Sequence, residues 1–419
     1  MEKELFRAII AENQEYIGRI PLVQRPLDLE EYGNYVFVGV RQAGKSYLLY
    51  QRIQQLLANG VDIENIVYVN FDDERLQGMS VTDFDLILQA YHSMYDSQPI
   101  FFFDEIQNVE GWANFARRLA NQKYHIYITG SNAKMLSRDI ETVLGGRYLD
   151  ISVFPYSFTE YLKAVGVVLS KNWQYGRKAN ELQRHFRTYF DWGGFPELVH
   201  FQEKRVWLNS LYNRIFFNDL VVRHKVKNED ALRLCVRRLA ESVKQPCSLN
   251  RLSNLIKATG TSCSPSTVME YVRYLQESCL LISIDNYVSK FVEKETIKKH
   301  YFVDNGLLHL FINNPNTSLL ENLCAITLYK KYGKGLYYYN KNIEVDFYVP
   351  DEGLAVQASY QMSDGETIER EVKALVALHG LYPLKRAMII TYDNEGEIVR
   401  DGLKIEIRPA WKWVVNGEC

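Results

Sequence analysis

In the first third of the chain, apolar residues fall in short unbroken runs, each closed by a turn and followed by a longer stretch with helical spacing. Tyr35–Val38, Ile66–Phe71, Ile100–Phe103, His125–Thr129 and Tyr148–Val153 read as five strands. Ser46–Ala58 and Trp112–Asn121 read as helices between them. Apolar runs bounded by turns and separated by helices predict a parallel sheet covered on both faces. The first 30 residues predict an amphipathic helix and a polar approach to the first strand.

The pattern changes after Pro155. Residues from about 156 to 245 read as mostly helical, broken by Gly193-Gly194-Phe195-Pro196. Leu249–Ile256 and Ser264–Leu275 then predict two helices joined by a turn, with Ser264 as cap and Pro265 in the first turn. Leu280–Ile284 follows as an apolar strand. From about 296 onward strands and helices mix again, with strands expected at Leu336–Tyr339, Glu344–Val349, Leu354–Gln357, Arg386–Thr391 and Lys404–Arg408. The expected fold class is α/β, in four regions: 1–155 with a parallel sheet, 156–245 helical, 246–295 like a winged helix, and 296–419 mixed α/β.

Composition narrows this picture. With 47% apolar and 13% aromatic residues over 419 positions, the chain has ample core material, which argues against long disorder. The balance of 49 basic and 51 acidic residues, 49 − 51 = −2, excludes a polybasic molecule as a whole. Residues 201–300 are an exception, with 17 Lys and Arg against 10 Asp and Glu, 17 − 10 = +7. The six Cys form no CxxC pair, which argues against zinc and against a disulfide framework. The charged start Met1-Glu2-Lys3-Glu4 lacks the apolar core of a signal peptide, and no long apolar run predicts a membrane span, so a cytoplasmic location is expected.

Gly39-Val-Arg-Gln-Ala-Gly44-Lys45-Ser46 fits the phosphate-loop pattern and lies where its chemistry needs it, after a strand and at the start of a helix. Successive backbone N–H groups there can face a phosphate, helped by the helix N-terminus. Gly39, Arg41, Gln42, Ala43, Gly44, Lys45, Ser46 and Tyr47 are the expected nucleotide contacts. Lys45 would reach the β- and γ-phosphates, and the Ser46 hydroxyl would ligand Mg²⁺. Asp104, at the carboxyl end of the third strand, would hold Mg²⁺, and Glu105 would polarise the attacking water. Asn132 or Ser131, after the fourth strand, would touch the γ-phosphate or the water. Arg147 is a candidate positive charge at the γ-phosphate, in cis or toward a neighbour, with Arg138 and Arg41 as rivals.

Taken together, Gly39–Ser46, Asn70-Phe71-Asp72-Asp73, Asp104–Asn108 with Trp112, Thr129–Asn132, and Leu144–Arg147 through Phe154–Phe158 resemble one group. It is the prokaryotic AAA-type ATPases with a C-terminal domain of unknown function, the AAA_14 plus DUF4143 arrangement. Gly193–Glu197, Tyr301–Gly306 and Glu344–Phe347 look like motifs of that group's C-terminal half. The resemblance implies a sheet of order 5-1-4-3-2, ATP as ligand and ATP hydrolysis.

Two further readings concern the rest of the chain. Residues 246–295, within the basic stretch 201–300, resemble a winged helix, in which Arg251, Lys257 and Arg273 would meet DNA phosphates. The alternative is a packing module that bridges the first domain to the last with its charge simply solvated; a protein partner elsewhere, for instance at Asp346 and Glu344, is also expected as an option. Glu344, Asp346 and the strand Leu354–Ser359, with Glu321 upstream, are spaced like a PD-(D/E)xK nuclease, to which the family's last domain is related. Gln357 and Ser359 stand at that fold's Glu and Lys positions, so the resemblance implies an inactive relative that lacks the carboxylates for a divalent ion. The competing expectation is an enzyme whose DNA cleavage is gated by ATP.

Overall fold

The computed structural model describes residues 1–30, 32–131, 143–362 and 365–417. Two compact units emerge: Met1–Phe154 together with Glu277–Cys279, and Pro155–Gln276 together with Leu280–Cys419. No described helix is long and apolar enough to cross a membrane.

The first unit runs α1 (Lys3–Tyr16), β1 (Tyr35–Val38), α2 (Lys45–Ala58), β2 (Ile66–Asn70), α3 (Phe84–His92), β3 (Ile100–Asp104), α4 (Trp112–Asn121), β4 (His125–Gly130) and β5 (Leu149–Ser152). All five strands are parallel, in the order β2-β3-β4-β1-β5. Read from the other edge this is the expected 5-1-4-3-2. Strand alternation sorts the side chains into two layers. Val36, Val67, Val69, Phe101, Phe103, Ile126 and Ile128 meet Phe6, Ile9 and Ile10 of α1 and the apolar faces of α3 and α4. The opposite layer is aromatic, with Phe102 stacked on Tyr127 at 4.7 Å between ring centroids.

The second unit opens with α5 (Phe158–Ala164), α6 (Gly176–Trp192), α7 (Lys204–Arg214), a π-helical stretch at Ile215–Val222, and α8 (Glu229–Glu241). Next come β6 (Cys247–Ser248), α9 (Leu249–Lys257), α10 (Pro265–Glu277), β7 (Leu281–Asn286), α11 (Phe291–Thr296) and β8 (Ile297–Phe302). The chain ends with α12 (Asn305–His309), α13 (Asn316–Tyr332), β9 (Tyr337–Asn340), β10 (Glu344–Val349), β11 (Leu354–Ala358), α14 (Gly365–Leu381), β12 (Arg386–Thr391), β13 (Gly396–Arg400), β14 (Leu403–Pro409) and α15 (Ala410–Asn416).

The strands of this unit form one sheet, β13-β14-β12-β11-β10-β9-β7-β8-β6. β7 pairs antiparallel with β8 and parallel with β9. The regions 246–295 and 296–419 therefore do not separate at residue 295, because β7 and β8 pair across that point. Beneath the sheet, Val372, Leu375 and Leu378 of α14 pack on Val345, Ala355, Ala387 and Ile389.

Candidate nucleotide site

The site forms where β1, β3 and β4 end. β1 is fully buried and leaves the sheet through Gly39. A Cβ on Gly39 would fall 1.9 Å from the carbonyl oxygen of Val153, so only glycine fits where the loop passes β5. Ala43 N–H donates to the Val40 carbonyl at 3.2 Å, which closes the turn. Gly44 has φ 95° and caps α2 in the left-handed region. The first backbone bond inside that helix runs from Leu48 N–H to the Gly44 carbonyl, so the amides of Lys45, Ser46 and Tyr47 stand at an open helix end.

Lys45 is 4% exposed; its ammonium donates to the carbonyls of Gly39 and Val40 at 3.3 and 3.4 Å and lies 3.4 Å from Glu105 Oε1. Asp104 is buried at the end of β3 and accepts hydrogen bonds from Tyr68 OH at 2.7 Å, from the Thr129 hydroxyl, and from Ser46. Burial raises its pKa, as does the neighbouring Glu105, against the pull of those three donors. Glu105 adopts φ 52°, and its amide donates to Thr129 Oγ1 at 2.9 Å. Burial would raise this carboxyl, but Lys45, the Gln107 amide and Arg41 outweigh it and hold Glu105 below the usual range. Gln107 Nε2 reaches both Glu105 Oε2 and, at 3.3 Å, the buried Ser131 hydroxyl.

The Ser46 hydroxyl and the Asp104 carboxylate are hard oxygen donors already in contact, next to a buried ammonium. This donor set suits Mg²⁺ with a phosphate ligand. The fold thus gathers Gly39, Arg41, Gln42, Ala43, Gly44, Lys45, Ser46, Asp104 and Glu105 at one sheet end, with Tyr47 exposed beside them.

It does not gather every candidate. Asn132 and Arg138 lie outside the described residues. Arg147 precedes β5, which pairs Leu149 with Tyr35 and Ser152 with Val38. It therefore sits at the far end of the sheet, about 20 Å along the strand direction from the loop, with Nε donating to Asn121 Oδ1 at 2.7 Å. That position corrects the expectation that it serves its own chain's γ-phosphate.

Sequence reading missed Arg25. Its guanidinium donates to the Ala43 carbonyl at 3.0 Å and to the Phe154 carbonyl at 2.9 Å, buttressing the loop from behind. Gln51 of α2 holds the Arg25 backbone through both its amide groups. Tyr68 and Gln107 were missed as well, since nothing in a strand or a turn marks a side chain that orients an acid.

The family match of the first unit agrees with this geometry. Residues 32–162 match the AAA domain family AAA_14. Residues 183–318 match a domain of unknown function, DUF8612, where DUF4143 was expected. An uncharacterized protein of Haemophilus influenzae is 31% identical over 78% of this chain and 83% of its own length. Among solved structures, the Walker-type ATPase of Pyrococcus abyssi matches at TM-score 0.40 and 11% identity, over 74% of this chain and 95% of that one. AMPPCP-bound DnaA from Aquifex aeolicus matches at TM-score 0.27 and 17% identity, over 66% and 88%. The uncharacterized protein MJ1544 of Methanocaldococcus jannaschii is 31% identical over 98% of this chain and 95% of its own length. The chain belongs to the family of that archaeal protein, and its N-terminal unit is an AAA-type P-loop ATPase domain.

Proposed function

We propose that the N-terminal unit binds ATP with Mg²⁺ and hydrolyses it slowly, and that the nucleotide state drives the second unit. The observation that carries this reading is the convergence of Lys45, Ser46, Asp104 and Glu105 at the end of one parallel sheet. Bound Mg²⁺ would neutralise the charge that develops on the β- and γ-phosphates. The loop amides and Lys45 bind the phosphate oxygens, while Ser46 and Asp104 hold the metal. Lys45 must leave Glu105 to meet the γ-phosphate, which frees that carboxylate to orient a water and take its proton. A fluorescent ATP analogue and a phosphate-release assay test the scheme. Lys45→Ala should lose binding, and Glu105→Gln should bind without turnover. ATP binding by Lys45→Ala at wild-type strength would overturn it, and wild-type binding without phosphate release would leave a nucleotide-binding scaffold.

A second reading adds DNA. It is supported by the antiparallel pairing of β6 and β7 with β8 around α9 and α10, the layout of a winged helix. Arg251 and Lys257 are exposed on this region, but α10 also shows Glu270 and Met269 on its open face. Such a mixture favours phosphate contact over base readout. Binding of labelled duplex that weakens steeply with salt, and weakens further in Arg251→Ala/Lys257→Ala, would support it.

A further inference from the structure

A cleft of about 1240 Å³ opens beside β10, β11 and α14, with Glu321, Glu344, Asp346, Gln357, Ser359 and Glu371 in its wall. The nuclease resemblance would put a divalent ion here, and the residues do not fit one. Lys299 of β8 is 0% exposed and sends its ammonium into the acidic group. Its Nζ lies 3.0 Å from Asp346 Oδ1, 3.2 Å from Glu321 Oε1 and 3.3 Å from Glu344 Oε1. The remaining donors complete the same carboxylates. Tyr301 OH donates to Glu321 Oε1 at 2.9 Å, and Ala358 N–H donates to Asp346 Oδ2 at 3.0 Å.

At the position where a third carboxylate would serve a metal, Gln357 offers an amide, and both its ends are used. Its Oε1 accepts from Asp346 N–H at 2.8 Å, and its Nε2 donates to the Glu344 carbonyl at 3.1 Å. A hard divalent ion needs six or more oxygens at about 2.0–2.6 Å. The ammonium fills the space those contacts require, and among the described residues no cluster of three or more His, Cys, Asp and Glu is arranged to hold a metal. Charge fits a single positive ion too. Glu344 is half exposed and solvated, and burial together with Asp346 pushes the Glu321 carboxyl up to about 7.

We infer that Lys299 is the resident cation of this centre, standing where a divalent metal ion would sit, so that the cleft works without metal and does not cleave phosphodiesters. The inference is independent of the nucleotide site. The test is Mn²⁺ titration of the full chain without nucleotide, followed by electron paramagnetic resonance. Wild type and Asp346→Asn should bind Mn²⁺ equally weakly. Lys299→Met should gain a site at least about tenfold tighter, and that gain should vanish in Lys299→Met/Asp346→Asn. An Mn²⁺ ion held by wild type and lost in Asp346→Asn would overturn the inference, as would a folded Lys299→Met that gains none. Should Lys299→Met not fold, the comparison of wild type with Asp346→Asn decides alone, backed by Mn²⁺-dependent cleavage of labelled DNA, which is expected to be absent.

Discussion

Tyr68 is buried in β2, and its hydroxyl does more than fill space. It donates to Asp104 and is itself bonded to Tyr50 OH at 3.0 Å, so the acid beside Ser46 is oriented from two sides. Tyr68→Phe should cost about 1 kcal/mol in stability and raise the Mg²⁺ concentration for half-maximal ATP hydrolysis about three- to tenfold. A hydrolysis titration against free Mg²⁺, with urea unfolding alongside, checks both. Glu321 offers a pH test of the second unit. Its folded pKa of about 7 stands above its ordinary 4.5, so the folded state binds its proton more tightly than the unfolded chain. Stability should then fall as pH rises from about 5 to 7 and level off above that. Thermal unfolding across pH 5 to 8 should show that slope, reduced in Glu321→Gln.

At the scale of elements, most of the first unit was legible. β1, β3 and β4 announce themselves as short, mostly apolar runs between helices, Gly39 because a Cβ there would strike Val153, and Gly44 because its φ of 95° favours glycine. β8 was not legible. Its sequence Ile-Lys-Lys-His-Tyr-Phe reads as polar at three of its first four positions, yet Lys299 and His300 are buried. What pairs with Lys299 comes from residues 321, 344 and 346, and no local pattern reports such distant partners. Gly193-Gly194 and Asp304-Asn305-Gly306 stand out in the sequence as motifs, but their reason is tertiary. Asp304 accepts from the amides of Gly194 and Gly306, each at 2.8 Å, and a Cβ on Gly193 would fall 1.9 Å from its carboxylate. Gly193 also has φ 80° and ψ −164°, open essentially to glycine alone. Gly193→Ala should therefore destabilise the second unit by about 2 kcal/mol or more, read from its denaturation midpoint.

For the whole molecule, the placement of Arg147 bears on how sites are completed. An arginine at the far end of the sheet can act on a γ-phosphate only in another copy. If it does, Arg147→Ala alone should hydrolyse ATP slowly. Mixing it with Lys45→Ala should restore part of the rate, because one variant keeps a usable site and the other supplies the guanidinium. Phosphate release measured across mixing ratios checks this. A wild-type rate for Arg147→Ala alone would remove the residue from the chemistry.

The nine-stranded sheet has a last consequence for any motion that ATP provokes. Because β6 and β7 both pair with β8, and β7 with β9, the strands that flank the α9–α10 pair cannot pivot against those that line the cleft without tearing backbone bonds. A polymer gripped at α10 and lying in the cleft would keep the same spacing between its two holds throughout the nucleotide cycle. The second unit would carry such cargo as a fixed jig.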